Sequence, residues 1–298
     1  MFNLKKKLIF PLLIIGIMLI SVGCNSGRDG ISIGGKDFTE QDILVYMLGE
    51  LIENNTDISV NYRNYLGGTN IVDGAIRRGD LDIYVEYTGT AYINLLGLEP
   101  INDSQKVYEI VAKKYEENFG IKWLEPLGFN NTYVLAMRRA HAEELGVETI
   151  SDLVPYAGDL TLGATHEFLE RNDGYLGLQE VYGITFGDTR GLDPGLTYAA
   201  VRDGAADVND AFSTDGRIVA FDLKTLEDDK NFFPPYYAVP IIRIDTLEKY
   251  PQLEEVINRL AGRLTDETMQ KLNAKVDLDG ENPRDVARNW LRSEGLID

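Results

Sequence analysis

The chain has 298 residues, 44% of them hydrophobic and 26% charged, with 48 acidic residues against 29 basic and a formal net charge of −19. That balance argues against nucleic acid as a partner, since phosphate backbones are bound by clustered Lys and Arg. One cysteine, Cys24, and two histidines leave no material for a disulfide framework or a cysteine-based metal site, and little for a nucleophile–base pair.

The amino terminus sets Lys5-Lys6-Lys7 before an apolar run from Leu8 to Ile20, then Ser21-Val22-Gly23-Cys24. This order predicts a signal peptide over 1–23; the run is broken by Pro11 and Gly16 and falls short of the roughly 20 apolar residues of a membrane span. A small residue just before a cysteine resembles the bacterial lipoprotein signal, although Ser21 stands where that pattern has leucine. The expectation is a mature chain lipidated at Cys24, extracytoplasmic and anchored to the cell membrane, with 24–30 as a polar tether. Without the three lysines the net charge is about −22, which suits a solvated surface and weakly favours cationic ligands. The mature part is long enough for two domain-sized cores and contains no second long apolar run.

Ile31-Ser32-Ile33 reads as a first strand. Thr39-Glu40-Gln41-Asp42 then opens a capped helix whose apolar positions Ile43, Leu44, Met47, Leu48 and Leu51 repeat with helical spacing. A strand from Ile58 to Tyr65, a helix from Asn70 to Arg78, a strand from Leu81 to Val85 and a helix from Ser104 to Asn118, with Ser104 as cap, continue the alternation. Such alternation predicts an α/β fold with a mostly parallel sheet.

The chain also echoes itself. Ala75 to Ile83 followed by Glu86-Tyr87-Thr88-Gly89-Thr90, and Ala200 to Val208 followed by Ala211-Phe212-Ser213-Thr214-Asp215, both read as helix, glycine stop, short strand and aromatic ring. Tyr87 falls on Phe212, which predicts two similar lobes, each offering a ring at the carboxyl end of a strand, where open α/β sheets bind ligands. Asn130 to Met137 and Pro234 to Ile242 are both polar or proline-rich leads into tyrosine and an apolar strand, as expected of two crossings between lobes. Lobe 1 would then comprise 31–132 plus 237–298 and lobe 2 would comprise 133–236, with a cleft that closes by hinge motion.

Six segments carry a family resemblance: Gly35-Lys36-Asp37-Phe38-Thr39-Glu40-Gln41, Gly67-Gly68-Thr69-Asn70, Glu86-Tyr87-Thr88-Gly89-Thr90, Asn131-Thr132-Tyr133, Glu170 to Leu178, and Asp210-Ala211-Phe212-Ser213-Thr214-Asp215. In order and spacing they resemble the substrate-binding proteins of ABC importers for glycine betaine, carnitine and choline. The resemblance implies a type II periplasmic-binding-protein-like fold and a trimethylammonium head in an aromatic cage between the lobes. It also implies a membrane permease driven by a cytoplasmic ATPase as partner. The chemistry of the residues agrees, because a quaternary ammonium has no N–H to donate while the negative faces of aromatic rings attract it.

By position in the matching motifs the cage would be Tyr87, Tyr133, Phe212 and Tyr236. At about 0.5 to 2 kcal/mol per ring, four rings contribute roughly 2 to 8 kcal/mol, comparable with the ~8 kcal/mol of a micromolar complex before ordering costs. Phe212 departs from the tyrosine more usual in the family and keeps the ring face without the hydroxyl. The ligand's carboxylate would be held by Lys36 and Arg171, the arginine by two parallel bonds, with Thr90 and Asn131 as neutral partners. The other readings are a solvated loop lysine and an ion pair of Arg171 with Glu167 or Glu170. A choline-selective relative would set an acid near the cage; Thr90 is not one, which favours a zwitterion. Ergothioneine, a trimethylated histidine betaine, is the alternative ligand, and a lipid-anchored sensor without transport is the alternative function. His166-Glu167 begins like a zinc-protease helix, but Glu170 replaces the second histidine. The expectation is a monomeric binding protein, not an enzyme, with no cofactor or metal.

Overall fold

The computed structural model describes residues 30–101 and 103–298; the signal peptide, Cys24 and nearly all of the tether lie outside them. Strands β1 (Ile31–Gly34), β2 (Val60–Arg63), β3 (Ile83–Tyr87), β4 (Ile121–Trp123) and β10 (Ala238–Arg243) form one five-stranded sheet in the order β2-β1-β3-β10-β4. Strands β5 (Tyr133–Arg138), β6 (Thr161–Thr165), β7 (Asp188–Leu192), β8 (Val208–Phe212) and β9 (Leu223–Thr225) form the other, in the order β7-β6-β8-β5-β9. The fold is thus a two-lobed α/β fold of the type II periplasmic-binding-protein class.

Each sheet is mixed. Its first three strands run parallel, as helical crossovers require, and the strand that enters from a crossing, β10 or β5, pairs antiparallel with both neighbours. The expected mostly parallel sheet is therefore found, with one exception in each: four of the five strands share one direction and a single strand, β10 or β5, runs against them. The reason is the crossing itself, which delivers β5 and β10 into their sheets from the cleft end.

Strand alternation divides the core in the first sheet. Ile83, Val85 and Tyr87 of β3 face helix α1 (Thr39–Asn55) and the carboxyl-terminal helices, while Tyr84 faces helix α2 (Thr69–Arg78) and helix α3 (Ser104–Phe119). Two helix starts differ from expectation. The residue before α1 is Phe38, whose side chain makes no capping bond, and Thr39 instead donates its hydroxyl to Asp277 at 2.6 Å. Before α3 the cap is Asp103, not Ser104, because the Asp103 carboxylate accepts from the Lys106 N–H.

The internal echo has a physical counterpart. Helix α2 ends at Gly79 with φ 79°, the helix Leu196–Arg202 is followed by Gly204 with φ 76°, and both are left-handed positions that glycine adopts without steric cost. Both following strands end on the matched rings, β3 at Tyr87 and β8 at Phe212. The strand was expected over 81–85 and lies over 83–87, so that Glu86 and Tyr87 belong to it. The crossings run side by side and antiparallel: Asn130 bridges Tyr237, the Asn131 N–H donates to the Tyr236 carbonyl, and the Tyr236 N–H donates to the Asn130 side chain.

Candidate functional site

The two sheets point the ends of β3 and β8 at a cavity of about 200 Å³. All four candidate rings, Tyr87, Tyr133, Phe212 and Tyr236, line it, as do Lys36, Thr90, Asn131 and Arg171. Register explains much of this, since Phe212 pairs directly with Tyr133 across β8 and β5. Their centroids lie 5.1 Å apart, and Tyr133 meets Tyr236 edge-on at 5.6 Å and 87°. Tyr87, Tyr133 and Tyr236 are buried and belong to the continuous hydrophobic core, while Phe212 is half-buried.

Phe38 is the ring that motif reasoning passed over. It stacks on Phe212 at 5.4 Å and 17° and on Tyr87 at 6.3 Å and 28°, joining the rings of the two lobes into one aromatic wall. The signal was its place beside Lys36 in the first motif. Gly89 serves the same wall, for a Cβ there would lie 2.9 Å from the Tyr236 ring and 2.8 Å from the Pro235 carbonyl. The wide π turn Thr90–Leu95 begins one residue later, a local geometry often found at functional sites.

Both cations are buried and already paired. The Lys36 ammonium donates to Glu86 at 2.6 Å and to Thr69 at 3.0 Å, so the solvated-loop reading is set aside. Arg171 uses Nε and Nη2 as a fork on Asp173, donates from Nη1 to Glu167 at 2.6 Å, and reaches Thr90 of the opposite lobe from Nη2 at 3.2 Å. The parallel two-bond grip expected for a ligand carboxylate is therefore occupied by Asp173. With three donors on an ammonium and five on a guanidinium, Lys36 and Arg171 each keep one N–H without a protein partner among the described residues.

Carboxylates crowd the cavity more than the sequence suggested. Asp37, Glu167 and Asp193 all line it, so the absence of an acid at Thr90 does not leave the cage free of acids. Burial works to raise the Glu167 pKa, but Arg171, Lys36 and hydrogen bonding to Thr69 overcome it and hold it at about 2. Glu167 also ties the lobes, because its Oε2 accepts the Thr69 N–H at the start of α2. The Asp37 carboxyl is shifted up, by burial first and then by repulsion from Glu167 and Asp193.

Asn131 is held from behind. Its Nδ2 donates to Glu40 at 2.9 Å, while its Oδ1 is buried with no partner among the described residues. Of the expected residues, Asn131 is thus the one that keeps a buried side-chain acceptor without a protein partner among the described residues.

The family model described as the substrate binding domain of ABC-type glycine betaine transport systems matches residues 29–293. The carnitine transport binding protein OpuCC of Listeria monocytogenes is 37% identical over 305 residues, covering 99% of this chain and 99% of that protein. The ergothioneine transport permease/ergothioneine binding protein EgtU of Helicobacter pylori is 38% identical over 265 residues, 89% of this chain and 47% of that protein. A crystal structure of a glycine betaine/carnitine/choline ABC transporter is similar at a TM-score of 0.73 and 36% identity, covering 90% of this chain and 100% of that one.

Proposed function

The chain belongs to the family of substrate-binding domains of ABC-type glycine betaine transport systems, and from that footing we propose that it captures a quaternary ammonium zwitterion between its lobes and delivers it to a membrane permease. The supporting observation is the convergence of all eight candidate side chains on one cavity. Tyr87, Tyr133, Phe212 and Tyr236 surround the trimethylammonium group, and the crowded carboxylates add long-range attraction for its charge. Lys36 and Arg171 each give the ligand's carboxylate one N–H, and Thr90 sits within the same hydrogen-bonded group. The lobes divide at 132/133 and 236/237, and Cys24 carries the lipid that keeps the protein beside its permease. The cavity volume, below the roughly 300–1,000 Å³ of drug-sized sites, suits a small solute.

The unpartnered Asn131 Oδ1 ranks the ligands. A buried acceptor left unpaired costs about 1–3 kcal/mol; the hydroxyl of carnitine or a ring N–H of ergothioneine can satisfy it, and glycine betaine has no donor. Carnitine is therefore expected to bind more tightly than glycine betaine, with ergothioneine as the second reading because it shares the donor and the trimethylammonium group. Calorimetric titration with carnitine, glycine betaine, choline and ergothioneine tests this, together with Tyr87→Ala and Tyr133→Ala. Each ring removed should weaken binding about tenfold or more. If no trimethylammonium compound binds, or if both variants bind as the unaltered protein does, the cage assignment is wrong.

A further inference from the structure

We propose that Glu40 is a positioning residue that makes the shape of the cage and the closure of the lobes a single event. Glu40 lies in the first turn of α1, is 2% exposed, and is not among the cavity-lining residues. Its Oε1 accepts the Tyr87 hydroxyl at 2.7 Å and Asn131 Nδ2 at 2.9 Å. Its Oε2 accepts the Thr214 hydroxyl at 2.6 Å and Asn273 Nδ2 at 3.2 Å.

These four donors come from four parts of the fold. Tyr87 ends a strand of the first sheet, Asn131 lies on a crossing, Asn273 is on the carboxyl-terminal helix Asp266–Asp277, and Thr214 follows β8 of the second sheet. Glu40 has no ion-pair partner among the described residues, so its charge is balanced by neutral dipoles alone. A buried carboxylate that loses such a donor bears the desolvation cost of the vacated lone pair. Thr214 is the donor that departs when the lobes separate, and it stands two residues beyond the cage ring Phe212. The same carboxylate orients Tyr87, which Gln41 supports by donating to its hydroxyl at 3.1 Å. Closing brings Thr214 onto Oε2 and Phe212 onto the aromatic wall together, while Oε1 keeps Tyr87 and Asn131 in the receptive orientation.

Gln at position 40 would offer one acceptor oxygen and present an NH₂ to donors that need an acceptor. Thr214→Val removes only the hydroxyl, at nearly constant volume. Both variants should weaken binding of carnitine, roughly ten- to hundredfold for Glu40→Gln and less for Thr214→Val. The loss should fall on the dissociation rate, with association nearly unchanged, because the encounter precedes closure. The double variant should lose less than the two single losses combined, since both remove one interaction.

This inference rests on the ligand reading above, so the decisive measurement is the separation between a spin-label pair, one label on each lobe, in the full chain with and without carnitine. Both variants should shift the ligand-free distribution toward longer distances and leave the loaded one incompletely closed, at temperatures well below their unfolding midpoints. Unchanged distances would overturn the role of Glu40. If the unaltered protein binds no quaternary ammonium compound, the ligand reading fails, and the ligand-free distances still decide for or against Glu40. If Glu40→Gln does not fold, Thr214→Val alone decides by the same measurement.

Discussion

A carboxyl group that is fully buried and held by a single threonine is set to change its charge near neutral pH, and Asp210 on β8 is such a group. The Thr165 N–H and hydroxyl donate to it at 3.1 and 2.7 Å, yet burial outweighs them and lifts its pKa to about 7. The folded state therefore holds this proton more tightly than the unfolded state, whose ordinary value is 3.8. Stability from this group is complete below about pH 4 and falls as pH rises toward 7, by an amount on the order of a few kcal/mol. Urea unfolding between pH 4.5 and 7.5 should show that decline, and Asp210→Asn should flatten it relative to the unaltered chain. An identical slope in both proteins would mean that Asp210 does not titrate in this range. Position in a motif located Tyr87, Tyr133 and Arg171. It could not reveal that Asp173 occupies the arginine's fork, because that depends on a turn bringing two residues of one segment face to face in a dry environment.

At the scale of elements, the strand ends and the glycines beside them set the geometry. Gly89 lets the Tyr236 ring and the Pro235 carbonyl approach closer than any Cβ would allow. Gly89→Ala is expected to cost about 1–3 kcal/mol in stability through the forced shift, and to weaken ligand binding by displacing the Tyr236 ring, measurable by thermal unfolding and calorimetry on one sample. Binding left intact in a destabilised variant would separate packing from site geometry. Helical periodicity and glycine stops made α1, α2 and β3 legible from the residues alone. The antiparallel entry of β5 and β10 was not legible, because strand direction follows from where a chain enters a sheet, and local spacing carries no trace of that. The cap of α3 was misjudged for a simpler reason: Asp103 and Ser104 are both good cap residues, and only the backbone decides between them.

For the whole molecule, closure is visible as contacts that join the lobes on several sides of the cavity: Glu167 on Thr69, Arg171 on Thr90, and Arg217 on Asp277 at 3.3 Å. A ligand held between the lobes stabilises this arrangement by mass action, about 2.7 kcal/mol at a free concentration one hundred times the dissociation constant. The thermal midpoint of the protein should rise by several degrees with saturating carnitine and remain unmoved by an equal concentration of a trimethyl-free amino acid. An equal shift with both would show that charge alone, without the cage, accounts for binding. The internal echo made two lobes readable in advance, but contacts such as these pair residues far apart in the chain, and no periodicity announces them.

The two crossings between lobes have a mechanical consequence. Asn130 and Tyr237 are bridged, and the Asn131 and Tyr236 backbones are bonded across the gap, so the connectors form a narrow two-ply ribbon stiffened by Pro234 and Pro235. A ribbon of this kind flexes readily across its flat face and resists shear in its own plane. If the lobes open about this ribbon they are expected to follow one arc, and occupancy would then be translated into the spacing between two surfaces, a quantity that a membrane partner could gauge from outside without touching the solute.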